Sequence, residues 1–237
     1  NNIMDVKDFG IRIPNGSFYT VSNNLINDFE EYGIDFYSSE NCTVTYNRVQ
    51  NMINSGGWKR AINNDASLQN AIVNYNYVQI GDANNRSSDD IYGIYVDDSE
   101  IKGDTIILYT DCDNVQGIYA NSSVIEDNYI EIFQYYDCAS TNRAIESYFN
   151  SNSGVRSLIQ NNLINSFGYT SGIRADQADI LNNVISGDGG TPWCCWMQDN
   201  YMWSIGYGND NIITGGSGND TIKTGAGNDT VFGNAGN

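Results

Sequence analysis

A six-residue phrase recurs seven times along this chain: a branched aliphatic, two residues, Asn or Asp, one residue, and another branched aliphatic. It runs Val21, Asn24, Ile26; Val44, Asn47, Val49; Val73, Asn76, Val78; Ile101, Asp104, Ile106; Ile125, Asn128, Ile130; Ile159, Asn162, Ile164; and Ile180, Asn183, Ile185. A second phrase, Gly or Ala followed by Ile, precedes each one at Ile11, Ile34, Ile62, Ile94, Ile118, Ile145 and Ile173, with a period between 23 and 32 residues. A period of that length is one supersecondary unit, and its variation belongs to loops between fixed strands. A unit this small cannot bury its own apolar face, so neighbouring units must stack.

Three short strands per turn with a fixed corner predict a right-handed parallel β-helix of about seven coils over residues 1–185. The handedness follows from the rule for parallel crossovers. The two aliphatics of the phrase and the Ile after Gly or Ala form three inward columns. Coils stacked about 4.8 Å apart make a rod about 34 Å long. Asn tolerates left-handed backbone, so the Asn between the second and third strands is expected to form the corner, and its side chain can hydrogen-bond along the stack. These Asn residues and Asp104 read as structural.

Long loops are expected to leave the third strand at about 27–32, 50–60, 79–92, 108–116, 132–143 and 165–171. They fall on one side of the rod, which marks a binding face. Beside it, one residue after the Ile column, stand Arg12, Asp35, Asn63, Tyr95, Tyr119, Glu146 and Arg174. Such a line can stack on sugar rings and bond hydroxyls.

The chain has 11 Lys and Arg against 29 acids, no His and a net charge of -18. That balance disfavours nucleic acid and anionic membranes and favours cations, Ca²⁺ first. No apolar run is long enough to span a membrane. Both termini cut through repeats, which predicts a segment of a longer protein. Among five cysteines, Cys112 and Cys138 fall in loops of successive coils and are candidates for a bridge. Cys42 is expected to pack inward, and Cys194 and Cys195 lie in an aromatic cluster. Residues 186–204 break the period with three of the four Trp, and the expectation there is a cap or linker over the open end of the stack.

After that stretch the pattern changes. Gly206-Tyr-Gly208-Asn-Asp210-Asn-Ile212, Gly216-Ser-Gly218-Asn-Asp220-Thr-Ile222 and Gly225-Ala-Gly227-Asn-Asp229-Thr-Val231 are followed by the start of a fourth copy. Glycines let carbonyls turn toward a cation, Asp supplies a hard oxygen, and the aliphatic fills a core. Ca²⁺ takes more oxygens than one turn offers, so ions should sit between turns. These copies resemble the glycine-rich nonapeptides of the RTX family. The resemblance implies a truncated calcium-binding β-roll over 205–237. Its metal ligands would come from Gly206, Gly208, Asp210, Gly216, Gly218, Asp220, Gly225, Gly227 and Asp229. It also implies export by type I secretion to the bacterial cell exterior.

Helix and repeats together also resemble the mannuronan C5-epimerases, whose active-site phrase is Tyr-Gly-Phe-Asp-Pro-His. Here Tyr32-Gly33-Ile34-Asp35-Phe36-Tyr37 stands in its place, so Tyr32 and Asp35 match the family's catalytic pair while Phe36 and Tyr37 replace Pro and His. A calcium-dependent polysaccharide lyase is a second catalytic reading, with Lys59 or Arg60 as base near Asp35 and Asp89, Asp90, Asp97 and Asp98 as calcium ligands. The reading with fewest assumptions is non-catalytic. It is a secreted, calcium-binding, β-helical segment of a larger extracellular protein, serving adhesion or assembly and contacting glycan or further copies of the same repeat.

Overall fold

A computed structural model describes residues 1–6, 8–13, 15–51, 59–64, 70–87, 90–111, 114–135, 142–148, 154–167, 171–181 and 183–187, and the backbone of strands 201–206, 212–214, 221–223 and 230–232. The described elements are all strands, nearly all paired in parallel. No described helix is long and apolar enough to cross a membrane.

The strands form three parallel stacks. The first holds Phe9–Arg12, Tyr32–Asp35, Lys59–Asn63, Ile91–Tyr95, Val115–Tyr119, Arg143–Ser147 and the start of Ser171–Leu181. The second holds Thr20–Ser22, Thr43–Thr45, Ile72–Asn74, Glu100–Lys102, Val124–Glu126, Ser157–Gln160 and the end of Ser171–Leu181. In that long last strand the first two stacks merge. The third runs Asn2–Val6, Leu25–Phe29, Arg48–Asn51, Tyr77–Ile80, Thr105–Thr110, Tyr129–Gln134, Leu163–Phe167, Val184–Gly187, Ile212–Thr214 and Thr230–Phe232.

Register follows the repeat phrases. Ile34, Ile62, Ile94, Ile118 and Ile145 align in the first stack, Val44, Val73, Ile101, Ile125 and Ile159 in the second, and Ile26, Val49, Val78, Ile106, Ile130 and Ile164 in the third. All of these are fully buried. Each contributes about 1.5–3 kcal/mol of apolar burial, an upper value before chain entropy. β-branched side chains suit a pleated surface packed on both sides, which explains why Val and Ile fill the columns.

The corner differs from the sequence expectation in one respect. The left-handed residue is the one before the ladder position: Asn23, Tyr46, Tyr75, Gly103, Asp127 and Asn161 have φ between +56° and +67°. The ladder residue itself turns its amide inward. Asn24, Asn47 and Asn76 each donate from Nδ2 to the next Oδ1 at 3.0 Å, and Asn128 and Asn162 do the same at 3.0 and 2.8 Å. Burial of the corner explains the division of labour, because an inward carbonyl must find a donor and the stacked amides supply it.

The third strands also run further than the sequence suggested. Residues 108–110 and 132–134, read as loop starts, continue the ladder and bury Leu108 and Ile132 beside Ile80. Their outer side carries a stack of Tyr109, Phe133 and Phe167, with ring centroids 4.7 Å apart at each step. Alternation of side chains along a strand continues for as long as pairing does. Cys42 packs inward at 1% exposure and is a free thiol. Cys112, Cys138, Cys194 and Cys195 lie outside the described residues, as does most of the expected cap. Its last residues, 201–204, belong to a strand Tyr201–Gly206 paired with Ser171–Leu181 on one side and Thr221–Lys223 on the other.

Candidate functional site

Every first strand makes a close approach at the residue before its inner Ile, where the sequence writes only Gly or Ala. A Cβ on Gly33 would lie 2.3 Å from Val49 Cγ1 and 2.6 Å from the carbonyl oxygen of Ala61. On Gly93 it would meet the Gly117 carbonyl oxygen at 2.5 Å and Ile106 Cγ2 at 2.7 Å. At these two glycines even the Cβ of Ala is too close to the neighbouring strand and to the core of the third stack. The Cα pairing passes over this residue, so the positions two before and one after each inner Ile form two register columns on the far side of the strand.

One column is the line read from the sequence. Arg12 pairs with Asp35, Asp35 with Asn63, Asn63 with Tyr95, Tyr95 with Tyr119, Tyr119 with Glu146 and Glu146 with Arg174. The other column holds Phe9, Tyr32, Arg60, Tyr92, Gln116 and Arg143. Sequence reading missed this second column although the signal was present, since each member stands two residues before an inner Ile.

The two columns interlock. Arg12 Nε lies 3.5 Å from Asp35 Oδ2, Asn63 Nδ2 donates to Asp35 Oδ1 at 2.7 Å, and Arg60 donates to Asn63 Oδ1 at 2.7 Å. Asp35 and Asn63 are each 2% exposed, covered by the guanidiniums that bond to them. A second knot surrounds Glu146, also nearly buried. Arg143 and Arg174 donate to it at 3.3 and 3.2 Å, and the Tyr148 hydroxyl donates to Oε1.

Between the knots lie the tyrosines. Tyr95 and Tyr119 stack with centroids 4.6 Å apart and an interplanar angle of 7°, and the Arg60 guanidinium sits 3.8 Å over the other face of Tyr95. Tyr148 approaches Tyr119 at 6.3 Å. Tyr95 thus lies between the Tyr119 ring and the Arg60 guanidinium. In-register aromatics on strands about 4.8 Å apart stack on each other and turn their edges and hydroxyls outward.

Burial sets the electrostatics. It raises the Tyr92 hydroxyl above its ordinary value against the hydrogen bond from Asn114, with Asp90 adding to the rise. It pulls the Arg143 guanidinium down, with Glu146 opposing. Tyr148 is pushed up to about 12, first by burial and then by its bond to the Glu146 carboxylate.

The catalytic candidates scatter. Tyr32 stacks on Phe9 with centroids 5.0 Å apart. Asp35 is held between Arg12 and Asn63. Lys59 is 1% exposed and shares a register column with the buried Ile91 and Val115. Asp89 lies outside the described residues. Asp90 accepts from Asn114, and Asp97 accepts from the backbone of Asn121. No group of three metal-ligating side chains occurs among the described residues.

In the C-terminal repeats Gly206 ends a strand, and Gly208, Asp210, Gly216, Gly218, Asp220, Gly225, Gly227 and Asp229 lie outside the described residues. The strands between them are informative. Ile212–Thr214 pairs with Thr230–Phe232, while Thr221–Lys223 pairs with Tyr201–Gly206. The strands of alternate repeats are thus neighbours in one stack. The same pairing continues the register column of Arg174 at backbone level to Trp203 and Lys223.

No curated protein and no solved structure matches the chain. A family model for the RTX calcium-binding nonapeptide repeat, in four copies, matches residues 205–237. Those repeats bind Ca²⁺, and Ca²⁺ is the cofactor of this chain.

Proposed function

We propose that this chain is a non-catalytic, calcium-stabilised module of a larger secreted protein, exported by the type I route, and that its first-stack face binds a carboxylated glycan. In this reading residues 1–185 form a seven-coil right-handed β-helix and residues 205–237 an RTX roll folded by Ca²⁺ outside the cell. The observation that carries it is the face itself. Four of the seven arginines stand there, Arg12, Arg60, Arg143 and Arg174, against two carboxylates, in a chain of net charge -18. Arg12 and Arg174 remain 52% and 39% exposed at the two ends of the column.

Asp35 and Glu146 are engaged by arginines, which favours binding over proton abstraction. A free general base would be needed to take a proton from a sugar carbon. Recognition is assigned to guanidiniums and tyrosine hydroxyls, since guanidinium pairs with carboxylate in a planar, bidentate fashion.

The test is calorimetric titration of oligouronates and of neutral oligosaccharides into the calcium-loaded protein, with assays for unsaturated products and for C5 inversion run alongside. Binding of the oligouronates alone, weakened about tenfold or more in Arg174→Ala, supports the reading, since a charged hydrogen-bonded pair is worth about 1.5–3 kcal/mol. Turnover by the wild-type chain, or equal binding of neutral sugars, sinks it.

A further inference from the structure

Position 104 is the one place in the described ladder where Asp replaces Asn. At a regular position the Nδ2 group has up to three acceptors. Asn47 donates to the Val21 carbonyl, the Thr45 carbonyl and Asn76 Oδ1, and Asn76 donates to the Val44 carbonyl, the Asn74 carbonyl and Asp104 Oδ1. By the same geometry the second oxygen of Asp104 takes the place of an amide facing the Val73 carbonyl, the Lys102 carbonyl and Asn128 Oδ1. All three are acceptors.

Asp104 Oδ1 is fully used. It accepts from the Asn76 backbone N–H at 2.6 Å and from Asn76 Nδ2 at 3.0 Å. Oδ2 has no partner among the described residues, and the residue is 1% exposed. Turning the Asn128 amide over does not help. Its Nδ2 already donates to the Ile101 carbonyl and to Asn162 Oδ1, and its Oδ1 accepts from the Asp104 N–H at 2.9 Å. A flipped amide would bring donor against donor at Asp104 and acceptor against acceptor at Asn162.

We propose that Asp104 is a buried proton-binding site, a carboxylic acid at neutral pH whose Oδ2–H takes the place of the amide donor and closes the ladder to Asn128. The proton comes from solvent on folding and returns to it when the site ionises. No bond other than O–H is made or broken. An ionised carboxylate at this place sets an unpartnered charge against acceptors, which a buried group avoids by staying neutral.

The neighbouring charges do not compensate. Lys102 is on the outer side of its strand, bound to Glu126 and Asp127, and Glu100 accepts from Asn74. Burial is the dominant influence on Asp104, raising its pKa well above the ordinary value, and the only opposing groups are the two donors of Asn76. The site is therefore a built-in pH sensor at the middle of the stack. It is closed in acid and opens on ionisation.

Two measurements test it. In protein labelled with ¹³C at the Asp carboxyls, the resonance that Asp104→Asn removes should have the chemical shift of a protonated acid at neutral pH. An ionised shift there overturns the proposal. In parallel, urea unfolding of wild type and Asp104→Asn is followed from pH 3 upward. The variant restores the residue found at the equivalent corners, so it is expected to fold. Relative to it, the wild-type unfolding constant should rise about tenfold per pH unit above pH 4 until the site ionises. A ratio that does not change with pH overturns the proposal as well.

Discussion

Asn47 and Asn76 are joined twice, because Asn76 Oδ1 accepts from both the backbone N–H and the side-chain Nδ2 of Asn47, each at 3.0 Å. The paired bond repeats from Asn24 to Asn47, from Asn128 to Asn162 and from Asn162 to Asn183, and Asn1 Nδ2 reaches Asn24 Oδ1. One amide therefore ties three coils: the one before through Oδ1, its own through the carbonyl two residues back, and the next through Nδ2. Removing it leaves the buried Asn47 N–H without its acceptor and takes one bond each from Asn47 Nδ2, the Val44 carbonyl, the Asn74 carbonyl and Asp104 Oδ1. Asn76→Ala is expected to cost about 3 kcal/mol or more, since each buried group left without a partner costs about 1–3 kcal/mol. Denaturant titration monitored by circular dichroism measures the loss, and a cost below about 1 kcal/mol would show the ladder to be ornamental.

Glycine at the close approach is the second constraint open to mutation. Gly33→Val drives a branched side chain into Val49 and the Ala61 carbonyl, and should cost about 3 kcal/mol or fail to yield folded protein. Gly154 has the opposite character. Its φ is +65° and, among the described residues, nothing lies within 4 Å of an added Cβ, so Gly154→Ala should cost only about 1–2 kcal/mol, the backbone penalty of a left-handed residue. Thermal melts of the two variants separate packing from backbone strain. Equal losses would contradict the assignment.

What the sequence made legible, and what it did not, follows from the same physics. The columns were readable because burial demands a residue class at a fixed place in every coil, and Arg12 to Arg174 followed because strand alternation fixes the residue after each inner Ile. The ladder was readable as a recurrence, but the left-handed residue before it was not. Tyr46, Tyr75 and Asp127 occupy that place, and their side chains carry no common signature. The long reach of Thr105–Thr110 was hidden because Leu108 and Ile132 have no counterpart in the repeated phrase. Lys59 and Arg60 were read together as neighbours of Asp35 in the next coil, but a one-residue step on a strand changes faces, so the two do not share a register column. The occupied faces of Tyr95 could be inferred only once both columns were known to stack in register.

The knot around Glu146 gives a pH prediction. Tyr148 has its hydroxyl pushed from 10.0 up to about 12, chiefly by burial and then by Glu146. The neutral phenol is the form the fold holds, so its share of stability is present below about pH 10 and is lost as pH rises through about 12. Spectrophotometric titration of tyrosinate should show a late-ionising group that disappears in Tyr148→Phe and ionises earlier in Glu146→Gln. If the last group to titrate is unchanged in both variants, the Tyr148–Glu146 bond does not control that edge of the face.

The remaining prediction concerns the metal. Residues 205–237 carry Asp210, Asp220 and Asp229 and only Lys223 as a cation, so without Ca²⁺ the repeats gather like charge with little apolar area to offset it. Their strands nevertheless extend stacks that begin at the other end of the chain, since Ile185 pairs with Ile213 and Ile213 with Val231. Calcium added to the whole chain should therefore increase the β signal in circular dichroism, and chelation should reverse it, while a chain ending at Ser204 should not respond. Asp210→Ala combined with Asp229→Ala should raise the calcium midpoint about tenfold or more, because ligand charge is what sets affinity in oxygen sites. If the chain ending at Ser204 gains as much signal as the whole chain, the responsive calcium lies among the coils before Gly187, and the carboxylates of the long loops become the ligands to mutate next.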